Sequence, residues 1–258
     1  ITKSLRFRAS GSTYMSRTPA AGDRKKWTWS GWVKRGALGS IQTLFGIFDY
    51  AGGGVTNNQH GVRFLAGDTL EFWHYSSGYL GQKITSSVYR DPTAHLHVVA
   101  IWDSANATAA DRMQLWVNGV RITAFGTSSD PALNTDGQIN RALLHTSGGW
   151  YDPDFGAVAN ILDGYLSRIC FVDGQALTPS SFGYLNTEIN EWVTLSRSAC
   201  KAVVDAGGTN SFMLDFEDGT SLTTLGNDYS AKNNDWTLTN HSLTAGVTYD
   251  WMEDRPGN

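Results

Sequence analysis

Apolar and polar residues alternate with a period of two through the middle of the chain, a pattern typical of β-strands. Residues 95–103 read as one apolar strand, HLHVVAIWD, and residues 113–122 read as a hairpin that turns at Asn118 and Gly119. Asn-Gly between alternating apolar residues predicts a two-residue turn, because both turn positions need a positive φ. The resulting register pairs Val117 with Val120, Trp116 with Arg121 and Leu115 with Ile122, and it gives Met113, Leu115 and Val117 one buried face.

Further short strands are predicted on both sides of this hairpin. Residues 26–36 place Trp27, Trp29 and Val33 on one face and Trp32 on the other, unless a bulge at Gly31 turns Trp32 inward. Residues 4–7 and 12–18 are expected to pair with each other, and a second hairpin is expected to turn at residues 66–68. The pattern indicates an all-β protein.

The strand predicted within residues 163–174 is apolar on both faces, which is typical of a central strand covered on each side. Simple alternation puts Leu166, Cys170 and Val172 on one face and Tyr165, Ile169 and Phe171 on the other. Thr178 and Pro179 then predict a short helical turn that runs to residue 185.

Composition supports one large β-sandwich with an extension. The chain has 258 residues, of which 28 are Gly and 12% are aromatic, and these numbers suit a sheet protein with many turns. We expect residues 1–185 to form the main domain and residues 186–258, with strands at 211–216 and near Trp236, to pack on it and complete it. Cys170 and Cys200 are expected to be buried thiols rather than a disulfide.

Charge and hydropathy exclude two classes of partner. The net charge is −4 and the basic residues form no stripe, so nucleic acid is not an expected partner. No run of 18 apolar residues is present, so no membrane-spanning helix is expected.

Catalysis has little support among the candidate residues. A retaining glycosidase needs two carboxyl groups about 5 Å apart, but Glu217-Asp218 and Glu253-Asp254 are adjacent and would point to opposite faces of a strand. No G-x-S-x-G nucleophile motif is present. His95 and His97 share a strand face, where packing is favoured over half of a metal site because no third ligand is evident. We expect a protein that is not an enzyme.

Binding by aromatic side chains is the favoured hypothesis. Sugar rings stack on exposed indole and phenol rings, while nearby polar groups bind the hydroxyls. The ligand-binding candidates are Trp150 and Tyr151, in a glycine-flanked loop, and Trp73, Tyr75 and Tyr79, in or just after a hairpin strand. Most other tryptophans are expected to fill the core.

Calcium is an alternative for the acidic loops, although no cofactor is expected. Asp152, Asp154 and Asp163 lie in one such region, and Asp228 lies near Asn233, Asn234 and Asp235 in another. Oxygen ligands suit calcium, but the spacing is not that of the twelve-residue calcium loop. The favoured interpretation is that these side chains are solvated or bond to the backbone of turns.

The order of the segments carries a family resemblance. SLRF, STYMSRT, WTWSGWVK, TLF, HLHVVAIWD, LWVNGVRI and DGYLSRICFVDGQALTPSSF resemble, in this order, the laminin-G-like, concanavalin-A-like jelly roll. His95 and His97 bracket Leu96 where that family usually has a W-H-H-V-A strand. KKWTWSGWVKRGALG, residues 208–246 and the closing DRPGN are similar to tail-fibre-like virion proteins of tailed, especially marine, bacteriophages.

This resemblance implies an antiparallel two-sheet jelly roll with one or two short helical turns. It also implies a structural or adhesive component of a virion, assembled in the host cytoplasm and exposed on the particle surface. The expected partners are other virion proteins and host-surface glycans, with a homo-oligomer, by resemblance a trimer, as the expected state. The alternatives are a capsid decoration or assembly subunit that makes only protein contacts and, less favoured, a glycan-active enzyme on the same fold.

Overall fold

A computed structural model describes residues 1–49, 58–152 and 156–253 of the chain. Its helices are α1 (Arg197–Asp205) and α2 (Leu222–Leu225), and short 3-10 turns cover Ala9–Gly11, Ala109–Asp111 and Pro179–Ser181. The strands are β1 (Ser4–Phe7), β2 (Tyr14–Arg17), β3 (Lys26–Arg35), β4 (Gln42–Asp49), β5 (Asn58–Phe64), β6 (Thr69–Ser76), β7 (Tyr79–Val88), β8 (His95–Asp103), β9 (Met113–Val117), β10 (Val120–Arg121), β11 (Phe125–Ser129), β12 (His145–Ser147), β13 (Trp150–Asp152), β14 (Ala157–Ala159), β15 (Gly164–Asp173), β16 (Gly183–Asn186), β17 (Glu191–Thr194), β18 (Phe212–Leu214), β19 (Thr237–Thr239) and β20 (Trp251–Met252).

Two antiparallel sheets pack face to face. Sheet 1 has the order β10-β9-β8-β3-β15-β1-β20, with β18 also paired to β15, and sheet 2 has the order β11-β7-β6-β5-β4-β12-β2-β19. Two small hairpins, β13–β14 and β16–β17, lie outside them. The all-β sandwich predicted from the sequence is therefore confirmed.

Indole rings fill the space between the sheets. Trp27 and Trp29 of β3 are fully buried, and Trp29 stacks on Phe45 of sheet 2 with ring centroids 6.1 Å apart. Gly31 makes room for this ring, because a Cβ there would approach Trp29 Cη2 to 2.7 Å. Pairing between β3 and β8 runs through Gly31 without interruption, so Trp32 points to the outer face, as alternation predicts.

The central hairpin has the predicted register. Val117 pairs with Val120 and Trp116 pairs with Arg121, and Asn118 and Gly119 have φ values of 48° and 77°. Met113, Leu115 and Val117 are buried in the core. The second hairpin also forms where expected, because β5 and β6 are joined by residues 65–68.

The predicted pairing of residues 4–7 with 12–18 is wrong. β1 pairs with β15 and β20 of sheet 1, whereas β2 pairs with β12 and β19 of sheet 2. The 3-10 turn at Ala9–Gly11 carries the chain from one sheet to the other. Both segments alternate as strands, and neither pattern identifies its partner.

A bulge changes the predicted alternation of β15. The pairing of β15 with β3 shifts between Ser167 and Cys170, and Arg168 has a φ of 39°. Leu166 therefore joins the main core together with Ile169 and Phe171, instead of sharing a face with Cys170. The central position of this strand is as predicted, since β1, β3 and β18 all pair with it.

A second apolar cluster covers the outer face of sheet 1. Cys170 and Val172 pack there with Phe182 and with Cys200 and Val204 of α1. Both cysteines are free and buried, as predicted. In the part of the chain that the structure describes, no helix combines the length and apolar character needed to cross a membrane.

The turn predicted after Pro179 is shorter than expected. The sequence predicts a turn that runs to Leu185, but the 3-10 turn ends at Ser181. Residues 183–186 form strand β16. Residues beyond 186 add β18 and β20 to sheet 1 and β19 to sheet 2. The proposed domain boundary at 185 falls inside β16, and the division into domain and extension remains a prediction.

Three histidines face the core from sheet 2. His60 stacks on His74 with ring centroids 4.7 Å apart and meets the edge of Trp102 at 4.5 Å. Burial lowers the pKa of His74 and of His145 to about 4, and it lowers the pKa of His60 well below its usual value. These side chains are therefore neutral in the folded protein near pH 7.

We expect the free energy of unfolding to fall as the pH falls from about 6.5 to about 4. The unfolded chain binds protons first in this window, because its histidines have a pKa of about 6.5. Full stability is present above this range, and for His74 alone the loss at pH 5 is about 2 kcal/mol. Urea unfolding followed by tryptophan fluorescence at about pH 7.5 and pH 5 measures this difference. A His74→Gln variant should show a smaller difference, and equal stabilities of the native chain at both pH values would contradict it.

Candidate functional site

Strands β6 and β7 of sheet 2 carry three of the five aromatic candidates. Alternation along β6 directs Leu70 and Phe72 into the core, so Trp73 and Tyr75 point outward. Tyr79 begins β7 and pairs with Tyr75 across the strands. The structure therefore brings Trp73, Tyr75 and Tyr79 together on one surface.

Trp73 lies beneath this surface and offers no ring face to solvent. Its side chain is fully buried. The guanidinium of Arg63 lies 4.2 Å from the centre of the indole ring, and Phe48 packs against the same ring at 5.8 Å. Gly61, directly opposite on β5, leaves room for the ring, because a Cβ there would lie 3.1 Å from Trp73 Cη2. Trp73 thus supports Arg63 from below.

A hydrogen-bonded row of polar side chains covers Trp73. Arg63 Nε donates to Glu71 Oε2 at 2.6 Å, and Gln82 Nε2 donates to Glu71 Oε1 at 2.6 Å. Both carboxylate oxygens are therefore engaged, and the guanidinium is held over the indole ring. These hydrogen bonds order the charged and amide groups on the sheet face. A ligand that binds to them would therefore cause little further loss of side-chain entropy.

Tyr79 is the exposed aromatic residue of this surface. Its side chain is 52% exposed, and its ring meets Tyr75 edge-on with centroids 5.2 Å apart. Burial and the negative charge of Glu71 raise the pKa of Tyr79, whereas Arg63 and a hydrogen bond with Gln82 act to lower it. The phenol therefore keeps its proton at neutral pH and joins the polar row. We call Arg63, Glu71, Tyr75, Tyr79 and Gln82 the sheet-2 surface.

Trp150 and Tyr151 mainly attach a hairpin to the sheet. Trp150 stacks on Phe48 with centroids 4.5 Å apart, and Tyr151 stacks on Tyr14 at 5.7 Å. Both side chains are half-buried. They lie on the same outer face as Trp73, because Phe48 contacts both Trp73 and Trp150.

The carboxylate of Asp228 is used by the fold. Its Oδ1 accepts from the backbone N–H groups of Met213 and Ser230, both at 2.8 Å. Its Oδ2 accepts from Ser230 Oγ at 2.7 Å and from the backbone N–H of Asn234 at 2.9 Å. Four donors surround the carboxylate, which is the arrangement expected of a turn rather than of a cation site.

The other acidic candidates do not assemble into a metal site within the described residues. Asp163 lies just before β15, and its backbone oxygen accepts from Gly36 and Ala37. Asp152 ends β13, and Asp154 lies outside the residues that the structure describes. Across residues 1–49, 58–152 and 156–253, no group of three or more His, Cys, Asp and Glu could hold a metal ion.

His97 is a packing residue, as predicted. It is fully buried, stacks on Trp32 at 4.9 Å, and accepts from Trp192 Nε1 at 2.8 Å. Its Nε2 lies 2.8 Å from Ser30 Oγ, so both ring nitrogens have protein partners. Burial lowers the pKa of His97 to about 3, which keeps the ring neutral.

Sequence reasoning missed Arg63, Glu71 and Gln82. The signal was present in the predicted hairpin, since a turn at residues 65–68 pairs Phe64 with Leu70 and places Arg63 opposite Glu71. When this register is extended along β5 and β6, it predicts that the Arg63–Glu71 ion pair lies next to Trp73. Gln82 requires the pairing of β6 with β7 and its bulges.

Comparisons with known proteins support the fold. No family model matches the chain, and no curated protein matches its sequence. A "putative carbohydrate binding protein" from Bacteroides ovatus superposes with a TM-score of 0.57 at 15% identity, over 92% of this chain and 58% of that one. The chain thus spans less than two thirds of this neighbour.

Two further neighbours are more distant. A heptameric SAP-like pentraxin from Limulus polyphemus has a TM-score of 0.46 at 12% identity and covers 80% of this chain and 83% of its own. The CBM40 of a Ruminococcus gnavus IT-sialidase, bound to α2,3-sialyllactose, has a TM-score of 0.39 at 13% identity, over 66% and 85%. Together with the sheet topology, the Bacteroides neighbour confirms the jelly-roll sandwich.

Replacing Asp228 by Asn should destabilise the fold by about 1–3 kcal/mol, because buried N–H and O–H donors lose their carboxylate acceptor. Urea unfolding measures this change, with the exposed Asp218→Asn variant as the matched control. Calcium should leave the melting temperature of the native chain unchanged. A calcium-dependent rise in melting temperature that disappears in Asp228→Asn would contradict this structural role.

Proposed function

We propose that this chain is a non-enzymatic saccharide-binding domain that uses the sheet-2 surface. The observation that carries the proposal is the exposed ring of Tyr79 beside polar groups that are already fixed by hydrogen bonds. A flat apolar ring accepts the C–H face of a sugar, and pre-ordered donors bind its hydroxyls without a further loss of side-chain entropy. The fold likeness to a protein named for carbohydrate binding agrees with this proposal.

The chemistry of the surface supports binding rather than hydrolysis. Glycosidases of the retaining type need a nucleophile and an acid about 5 Å apart. Glu71, which is 1% exposed, is the carboxylate of the sheet-2 surface; its Oε2 accepts from Arg63 and its Oε1 accepts from Gln82. This carboxylate is therefore already engaged by side chains of the fold, which favours a structural role at a binding surface over proton transfer to a substrate.

We also propose that the domain belongs to the surface of a bacteriophage particle, as a tail-fibre-like or related appendage. The support is the ordered resemblance of its segments to such virion proteins. In this role it would bind host-surface glycans, contact other virion proteins and form a homo-oligomer such as a trimer.

A capsid decoration or assembly subunit is the second candidate. The β16–β17 hairpin and its turn expose three large apolar side chains, Tyr184, Leu185 and Ile189, each about half accessible to solvent. Aromatic and aliphatic residues of this kind are enriched where proteins associate. This function would need protein partners and no glycan.

A glycan array followed by isothermal titration on the purified chain tests the first proposal. Tyr79→Ala should weaken the binding of a glycan found on the array about five- to tenfold, since loss of one stacked ring costs about 1–1.5 kcal/mol. Val120→Ala, an exposed change on the edge of sheet 1, is the matched control and should bind normally.

Two results would contradict the proposal. One is full glycan affinity in Tyr79→Ala, and the other is hydrolysis of the bound glycan during the titration. An array without any hit, together with concentration-dependent association that Leu185→Ser abolishes, would favour the assembly function instead.

A further inference from the structure

A cleft lies on the opposite side of the molecule from the sheet-2 surface. It opens between the β16–β17 hairpin and the outer face of sheet 1, with a volume of about 650 Å³, in the range of small-molecule pockets. Its walls include two indoles, one aliphatic side chain and three polar side chains: Trp32, Trp192, Leu185, Asn118, Asn190 and Glu191.

The apolar wall of the cleft is rigid. Trp192 Nε1 donates to His97 Nδ1 at 2.8 Å, and the rings of Trp32, His97 and Trp192 form a stack with interplanar angles of 24° and 15°. The benzo ring of Trp192 lies against Gly119, where any Cβ would collide with it. The Asn118-Gly119 turn of the central hairpin therefore also contacts and positions the indole of Trp192.

The polar side chains of the cleft are held in place by the fold but keep hydrogen-bonding groups that are available to a ligand. Asn118 Oδ1 accepts from the backbone N–H of His97 at 2.8 Å, which orients the amide and leaves its Nδ2 without an acceptor among the described residues. Glu191 is exposed, and it forms no ion pair with a described residue. Among the described residues that line the cleft there is no Lys or Arg, and the basic side chain is the imidazole of His95.

We infer that this cleft is a second binding site, specific for an uncharged saccharide. The indole edges and Leu185 would contact the C–H groups of a sugar ring, while Glu191 and Asn118 would accept from and donate to its hydroxyls. The carboxylate of Glu191 repels acidic sugars, because no Lys or Arg among the described lining residues offsets its charge. The inference does not rest on the sheet-2 surface, since the two sites lie on different sheets.

The test is a titration of the ¹⁵N-labelled full chain with a panel of neutral mono- and disaccharides of gluco, galacto, manno and N-acetylated type. The probe is the indole N–H signal of Trp192, assigned by its loss in Trp192→Phe. We expect at least one neutral sugar to shift this signal with a Kd of about 1 mM or tighter. Glu191→Gln, a change at an exposed side chain, should weaken that sugar about tenfold, because a charge-assisted hydrogen bond becomes a neutral one.

The controls separate this site from the sheet-2 surface. Tyr79→Ala should leave the Trp192 shift unchanged, and 3′-sialyllactose should not produce it. The inference is overturned if no neutral sugar of the panel moves the Trp192 signal at about 10 mM, or if Glu191→Gln binds with full affinity. A shift produced by choline but by no sugar would also overturn it, because it would identify a cation site instead.

Discussion

Burial of large aromatic rings between two sheets is the constraint on which the rest of this structure depends. Trp27 and Trp29 project from β3 into the interior, and Phe45 and Phe72 meet them from sheet 2. Each such ring removes about 150–250 Å² of surface from water. Because the inner face of each sheet is committed to them, a ligand site on the strands can lie only on an outer face.

Local sequence signals predicted the elements whose geometry is set within a few residues. Asn118-Gly119 fixed the register of the central hairpin, and the period of two assigned opposite faces to Trp29 and Trp32. The failures are non-local. The alternation of β1 and β2 does not show which sheet each strand joins. The bulge at Arg168 lies opposite Gly31 of the neighbouring strand β3, so it depends on a residue far away in sequence. From the sequence alone, Trp73 is predicted to be an exposed ring. The pairing of β5 with β6 places Arg63, which is 10 residues earlier in the chain, over this ring.

The two outer faces are used differently. On sheet 2, the guanidinium of Arg63 lies over the buried indole of Trp73, and Glu71 links it to Gln82 by hydrogen bonds. These contacts fix the polar side chains beside Tyr79. On sheet 1 a second apolar cluster, α1 and the β16–β17 hairpin cover most of the face, and the hairpin leaves a cleft at one end. The carboxylate of Asp228, by contrast, stabilises a turn. Polar residues at turns and polar residues on sheet faces thus serve separate purposes in the same chain.

A crystal structure of the chain soaked with an oligosaccharide selected on a glycan array tests directly whether the sheet-2 surface binds a saccharide without cleaving it, as we propose. We expect a sugar ring against Tyr79, its hydroxyls within hydrogen-bond distance of Arg63 or Gln82, and every glycosidic bond intact. A sugar bound elsewhere with this surface empty, or a cleaved product on it, would contradict the proposed function.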